Sequence, residues 1–134
     1  MVDTILIVDD CMTTRRLIAV YLKGEGYDLI QAVNGLEALE KLALRSVDLV
    51  ITDINMPQMD GVALTRALKQ DSALKRIPVL MLTTEHEERE RQRGFDAGAE
   101  AYLVKPVTQE QLAQEVRRIL RSARNSFGEG GNGG

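Results

Sequence analysis

An α/β fold with a parallel sheet is predicted for this chain from three observations. Five short apolar runs alternate with segments whose apolar residues recur at helical spacing. The runs Thr4-Ile5-Leu6-Ile7-Val8 and Val47-Asp48-Leu49-Val50-Ile51 are nearly continuous, as in strands covered on both faces. Four of the five runs also end in residues with chemistry, namely Asp9-Asp10, Asp53, Thr83 and Lys105. In an open parallel sheet the carboxyl ends of the strands share one crevice, so these residues are expected at a single rim.

The elements follow in order. After the first strand, Thr13 and Thr14 supply cap chemistry for a helix carrying Leu17, Ile18, Tyr21 and Leu22, which Gly24 and Gly26 end. Tyr27 to Ala32 reads as the second strand, and Asn34-Gly35 as a turn into a helix with Leu36, Leu39, Leu42 and Ala43. The third strand ends at Asp53. Pro57 and Asp60-Gly61 mark a loop before a helix with Val62, Leu64, Leu68 and Leu74. Pro78 to Leu82 is the fourth strand, ending at Thr83. A charged helix from Glu87 to Ala97 stops at Gly98, a suitable left-handed cap. Ala101 to Val104 is the fifth strand, ending at Lys105-Pro106. The last helix places Leu112, Val116, Ile119 and Leu120 on one face, with Arg117, Arg118, Arg121 and Arg124 toward its C-terminal end, where cations are favourable.

At 134 residues there is room for one core. Residues 1–122 are expected to fold, and 123–134, rich in Gly, Asn and Ser, to form a disordered tail: natural tail, linker or expression scar. Seventeen Lys and Arg against 20 Asp and Glu give a formal charge of −3, which offers no footprint for nucleic acid. The single cysteine, Cys11, fits a reducing compartment and is expected to pack rather than react. Without a signal-peptide pattern or a long apolar stretch, a cytoplasmic location without membrane insertion is expected.

Like charges at ~4 Å repel by about 4 kcal/mol at an effective dielectric near 20. A cluster of Asp9, Asp10 and Asp53 therefore calls for a cation, and Mg²⁺ suits one or two carboxylates completed by waters and phosphate oxygens. Three acids for a cation, with a hydroxyl and an ammonium for an anion, suit phosphoryl transfer, in which a carboxylate can serve as nucleophile. Asp60 and Asp71 read as plain helix caps, and His86 as an exposed bystander in the charged run Glu85 to Arg93.

Ile7-Val8-Asp9-Asp10, Asp53-Ile54-Asn55-Met56-Pro57-Gln58-Met59-Asp60-Gly61, Leu82-Thr83-Thr84-Glu85 and Lys105-Pro106, in this order and at strand ends, resemble the response-regulator receiver domain, particularly its chemotaxis-type single-domain members. The resemblance covers residues 4 to 122. It implies a doubly wound, flavodoxin-like sheet of strand order 2-1-3-4-5 flanked by five helices. It further implies that a histidine kinase phosphorylates Asp53, that Asp10, Asp53 and the Asn55 carbonyl ligate Mg²⁺, and that Asp9 acts nearby through water. Lys105 and Thr83 would contact phosphoryl oxygens, with Lys105-Pro106 cis. Tyr102 would be an aromatic switch that turns inward once the threonine moves. Asn55 and Glu85 would tune hydrolysis. A monomer is implied, whose fourth helix, fifth strand and fifth helix dock an output protein, in chemotaxis or motility, with a phosphatase as a further partner. Val107 departs from the phenylalanine usual in chemotaxis relatives, and Met12 and Thr14 differ locally.

Other functions fit less well. An aspartyl-phosphate phosphohydrolase wants a second acid where Asn55 stands, and a nucleotide or flavin module wants a Gly-rich loop after the first strand. A receiver cut from a longer regulator is the third reading.

Overall fold

In the computed structural model, residues 2–84 and 88–131 are described. Strands β1 (Thr4–Val8), β2 (Asp28–Ala32), β3 (Leu49–Asp53), β4 (Val79–Thr83) and β5 (Ala101–Val104) alternate with helices α1 (Met12–Lys23), α2 (Gly35–Leu44), α3 (Gly61–Gln70), α4 (Glu88–Ala97) and α5 (Gln109–Gly131). All strand pairs are parallel, in the order β2-β1-β3-β4-β5, the order expected from sequence.

The near-continuous apolar strands serve two cores. Successive side chains of a strand point to opposite faces, so Ile5 and Ile7 of β1 enter one cluster while Leu6 and Val8 enter the other. The first cluster continues through Ile18 and Leu22 of α1 and Leu112 and Val116 of α5. The second takes Ala38 and Leu42 of α2 with Leu64 and Leu68 of α3. Fully burying a side chain of leucine or isoleucine size stabilises the fold by about 1.5–3 kcal/mol. Helices on both faces make the sheet doubly wound.

The helices depart from the predicted faces in places. Leu17 and Leu36 are exposed, at 46% each, and Ala43 is exposed as well. Ala38, a residue too small to stand out in an apolar pattern, takes the core position on α2. Thr13 and Thr14 are not caps. The N-cap of α1 is Cys11, without a side-chain cap bond, and Cys11 is exposed rather than packed. Asn34 does cap α2 through Glu37 N–H, Asp60 caps α3 through Ala63 N–H, and Asp71 accepts from Ala73 and Leu74.

Gly98 takes φ 115°, the left-handed conformation expected of it after α4. α5 runs to Gly131, through the segment whose composition suggests a break after Ser122. Its arginines accordingly lie along the helix rather than at its end. Arg117 pairs with Glu25 and Arg124 with Asp3, while Arg118 pairs with Glu115 of the same helix. Glu85 and His86 lie outside the described residues. Among the described residues, no helix is long and apolar enough to cross a membrane.

Candidate phosphoacceptor site

The sheet order reverses at β1, which lies between β2 and β3, and the crevice of a doubly wound sheet opens at such a point. In register, β1 ends at Val8 opposite Thr52 of β3, so Asp9 and Asp10 emerge beside Asp53. One carboxylate oxygen from each of Asp9, Asp10 and Asp53 lies within 4.8 Å of the others. Asp9 is buried, at 1% exposure, Asp53 is half-buried and Asp10 is exposed. The cluster thus runs from the interior to the surface.

Lys105 closes the site from the far side. Its Nζ lies 3.2 Å from Asp53 Oδ1 and 3.4 Å from Asp9 Oδ2. The Lys105–Pro106 peptide is cis. The lysine backbone is anchored by its own N–H, which donates to the Thr83 carbonyl at 2.7 Å. Thr83 is buried at the end of β4, opposite Val104, and its hydroxyl donates to the Thr84 carbonyl. Asn55 is exposed in the loop after β3, two residues past Asp53. Tyr102 is half-buried on β5, with its ring against Phe95.

Electrostatics follow from this packing. Burial raises the Asp53 carboxyl above its ordinary value; the Lys105 ammonium opposes the rise and the Asp9 charge adds to it. Burial pulls the Lys105 ammonium down, but the Asp53 and Asp9 carboxylates outweigh that and leave it raised. One cation therefore holds two of three acids, and the site keeps an excess of negative charge. The donors are hard carboxylate oxygens within 4.8 Å of one another, a set suited to Mg²⁺.

Two positioning features carry no motif in the sequence. Arg15, one turn into α1, donates from Nη1 to the Asp9 carbonyl at 2.8 Å and from Nε to Gln31, which ties the acid-bearing loop to β2. A cation one turn beyond an acid pair is the only signal for it. Gly61 opens α3 against the back of the acceptor, and a Cβ there would fall 2.2 Å from the Asp53 carbonyl oxygen.

A doubly wound sheet with three acids and a lysine at its switch point suits a protein that handles a phosphoryl group on a carboxylate. Residues 5–117 match the family model of the response regulator receiver domain, and the chain belongs to that family, as the receiver of a two-component response regulator. It is 39% identical over 119 residues to the transcriptional regulatory protein ResD of Bacillus subtilis, covering 89% of this chain and 48% of ResD. The chain spans about half the length of the curated relatives it matches. A putative response regulator from Chloroflexus aurantiacus superposes with a TM-score of 0.87 at 36% identity, over 90% of this chain and 99% of that one. The chemotaxis response regulator CheY4 of Vibrio cholerae superposes at 0.83 and 36% identity, over 89% and 99%. Receiver domains as a family are phosphoacceptor switches that work with histidine kinases and output effectors, and they generally bind Mg²⁺ in an acidic pocket.

Proposed function

We propose that Asp53 is the phosphoacceptor of this receiver, charged by a histidine kinase in the presence of Mg²⁺. The carrying observation is the Asp53 carboxylate at the end of a central strand, 3.2 Å from Lys105 Nζ and beside Asp9 and Asp10. An Asp53 oxygen attacks phosphorus, the phosphorus–nitrogen bond of the donor phosphohistidine breaks, and its electron pair stays on the imidazole. Lys105 follows the charge onto a phosphoryl oxygen, as its compact, flexible ammonium allows. Thr83 donates its hydroxyl to another oxygen in exchange for the Thr84 carbonyl. Asp10, Asp53 and the Asn55 carbonyl would hold the cation, with Asp9 supporting, and when bound it would supply neutralisation of the charge gathering on the phosphoryl oxygens. Water later attacks phosphorus, the bond from phosphorus to the Asp53 oxygen breaks, and inorganic phosphate leaves with the carboxylate restored, at a rate that Asn55 and Glu85 tune.

The output is a change at the α4–β5–α5 face, with Tyr102 as the switch residue, read by a partner protein of a monomeric, cytoplasmic receiver. Chemotaxis or motility is the proposed setting, supported by the likeness to CheY4. A second reading, a receiver whose effector regulates transcription, is supported by the likeness to the longer ResD.

Incubation with a small acyl phosphate and Mg²⁺ should add one phosphoryl group per chain. Undiminished labelling of Asp53→Asn would overturn the assignment.

A further inference from the structure

Gly94 sits inside α4, where glycine is a poor helix former compared with alanine, so its presence asks for a compensating reason. An ideal Cβ on Gly94 would fall 1.4 Å from Tyr102 Oη, 2.6 Å from Tyr102 Cζ and 2.6 Å from Met81 Sδ. The hydroxyl end of Tyr102 thus occupies the volume that any side chain at position 94 would fill. Met81 is fully buried, so the tip of the tyrosine reaches through the α4–β4 seam to the core.

The ring is held on further sides. Its centroid lies 4.6 Å from that of Phe95, at an interplanar angle of 59°, a favoured tilted geometry. The Arg91 guanidinium carbon lies 5.9 Å from the Tyr102 centroid and 6.0 Å from that of Phe95, within cation–π range of both. Phe95 and Arg91 therefore favour one ring position, and Gly94 makes that position sterically available.

We propose that Gly94 is a positioning residue for Tyr102: the notch it leaves admits the ring inward in the unphosphorylated chain, and a side chain at 94 expels it. The functional meaning rests on the reading of Tyr102 as the switch residue. On that reading, Gly94 sets the ring position from which the α4–β5–α5 face starts when Asp53 is phosphorylated.

The test uses the parental protein, Gly94→Ala, Tyr102→Ala and the double variant, all without phosphodonor or Mg²⁺. Met methyl labelling should show a nuclear Overhauser contact between the Met81 methyl and the Tyr102 ring in the parental protein, and its loss in Gly94→Ala. Gly94→Ala should lower the Tm when Tyr102 is present and raise it in the Tyr102→Ala background. That reversal of sign is not expected of helix propensity, which would raise the Tm in both. If Gly94→Ala fails to fold, folding of the double variant supports the proposal and failure of both overturns it. Absence of the parental contact, its survival in Gly94→Ala, or stabilisation in both backgrounds also overturns it. Asp53 labelling is scored separately, so normal labelling with a failed contact sinks this inference alone, and failed labelling sinks the phosphoacceptor reading alone.

Discussion

Asp53 and Lys105 oppose one another in what burial does to them, and their substitution should show it. The Asp53 carboxyl is raised chiefly by burial, so ionising it costs stability in the folded chain. That cost is absent below the unfolded carboxyl value and complete above the raised folded one. Asp53→Asn should therefore melt higher than the parental protein at pH 7, by a few degrees at most, because solvent at the half-buried carboxylate screens the effect. The difference should close when melting is repeated near pH 3. Lys105→Met should act in the other direction. It strands Asp9, at 1% exposure, beside a second carboxylate. Partial exposure of the lysine tempers the loss to about 1–3 kcal/mol. The Lys105 ammonium is raised, so its stabilising contribution is present at neutral pH and fades only as pH climbs through its folded value. Melting curves at pH 7 in metal-free buffer give both signs.

At the scale of elements, the legible positions are those where one residue type has one physical use. Asn34-Gly35, Asp60 and Gly98 read as a turn into a helix, a cap and a left-handed stop; Asp60 and Gly98 hold as read, and the turn at Asn34 proves to be the cap of α2. The start of α1 is less legible because threonines near a helix start look like caps, whereas here Cys11 takes the N-cap and donates its N–H to Asp9 Oδ1. Leu17 and Leu36 fall outside the core because an apolar stripe fixes a face only to within a residue, and small Ala38 hides its core role. Close approaches of backbone leave no pattern at all. Gly61 is the sharpest case, since a Cβ there would fall 2.2 Å from the Asp53 carbonyl oxygen and 3.0 Å from Ile54 Cα. Both are backbone and cannot swing aside. Gly61→Ala should cost about 1–3 kcal/mol by overpacking and slow phosphorylation by moving Asp53. Asp60→Ala, which loses a cap bond at 2.8 Å, should cost about 1 kcal/mol and leave the phosphorylation rate near parental. Urea melts paired with labelling rates separate the two.

Across the whole molecule, the rim is legible because topology does the assembling. Once five strands are parallel and in the order observed, residues at their carboxyl ends must meet, however far apart they are in sequence. Asp9, Asp10, Asp53 and Lys105 do meet, with an excess of negative charge that one lysine leaves in place. How this rim is stiffened from behind, through Arg15 and Gly61, is not readable from sequence, since neither contact has a local pattern.

The excess charge makes a prediction about the entire fold. A cation that binds the folded rim and not the unfolded chain stabilises by mass action, about 2.7 kcal/mol at a hundredfold excess over Kd. Mg²⁺ should therefore raise the Tm saturably, by several degrees. Asp10→Ala removes one acid from the cluster at its exposed end, where loss of the side chain disturbs no core. It should melt near the parental protein without metal and gain little when Mg²⁺ is added. Lys105→Met, with more uncompensated charge, should gain more than the parental protein. Asp60→Ala, an acid outside the cluster, should gain as much as the parental protein does. A Mg²⁺ response that is equal in all four proteins would place the cation elsewhere on the surface and remove the acids of the rim from its ligand set.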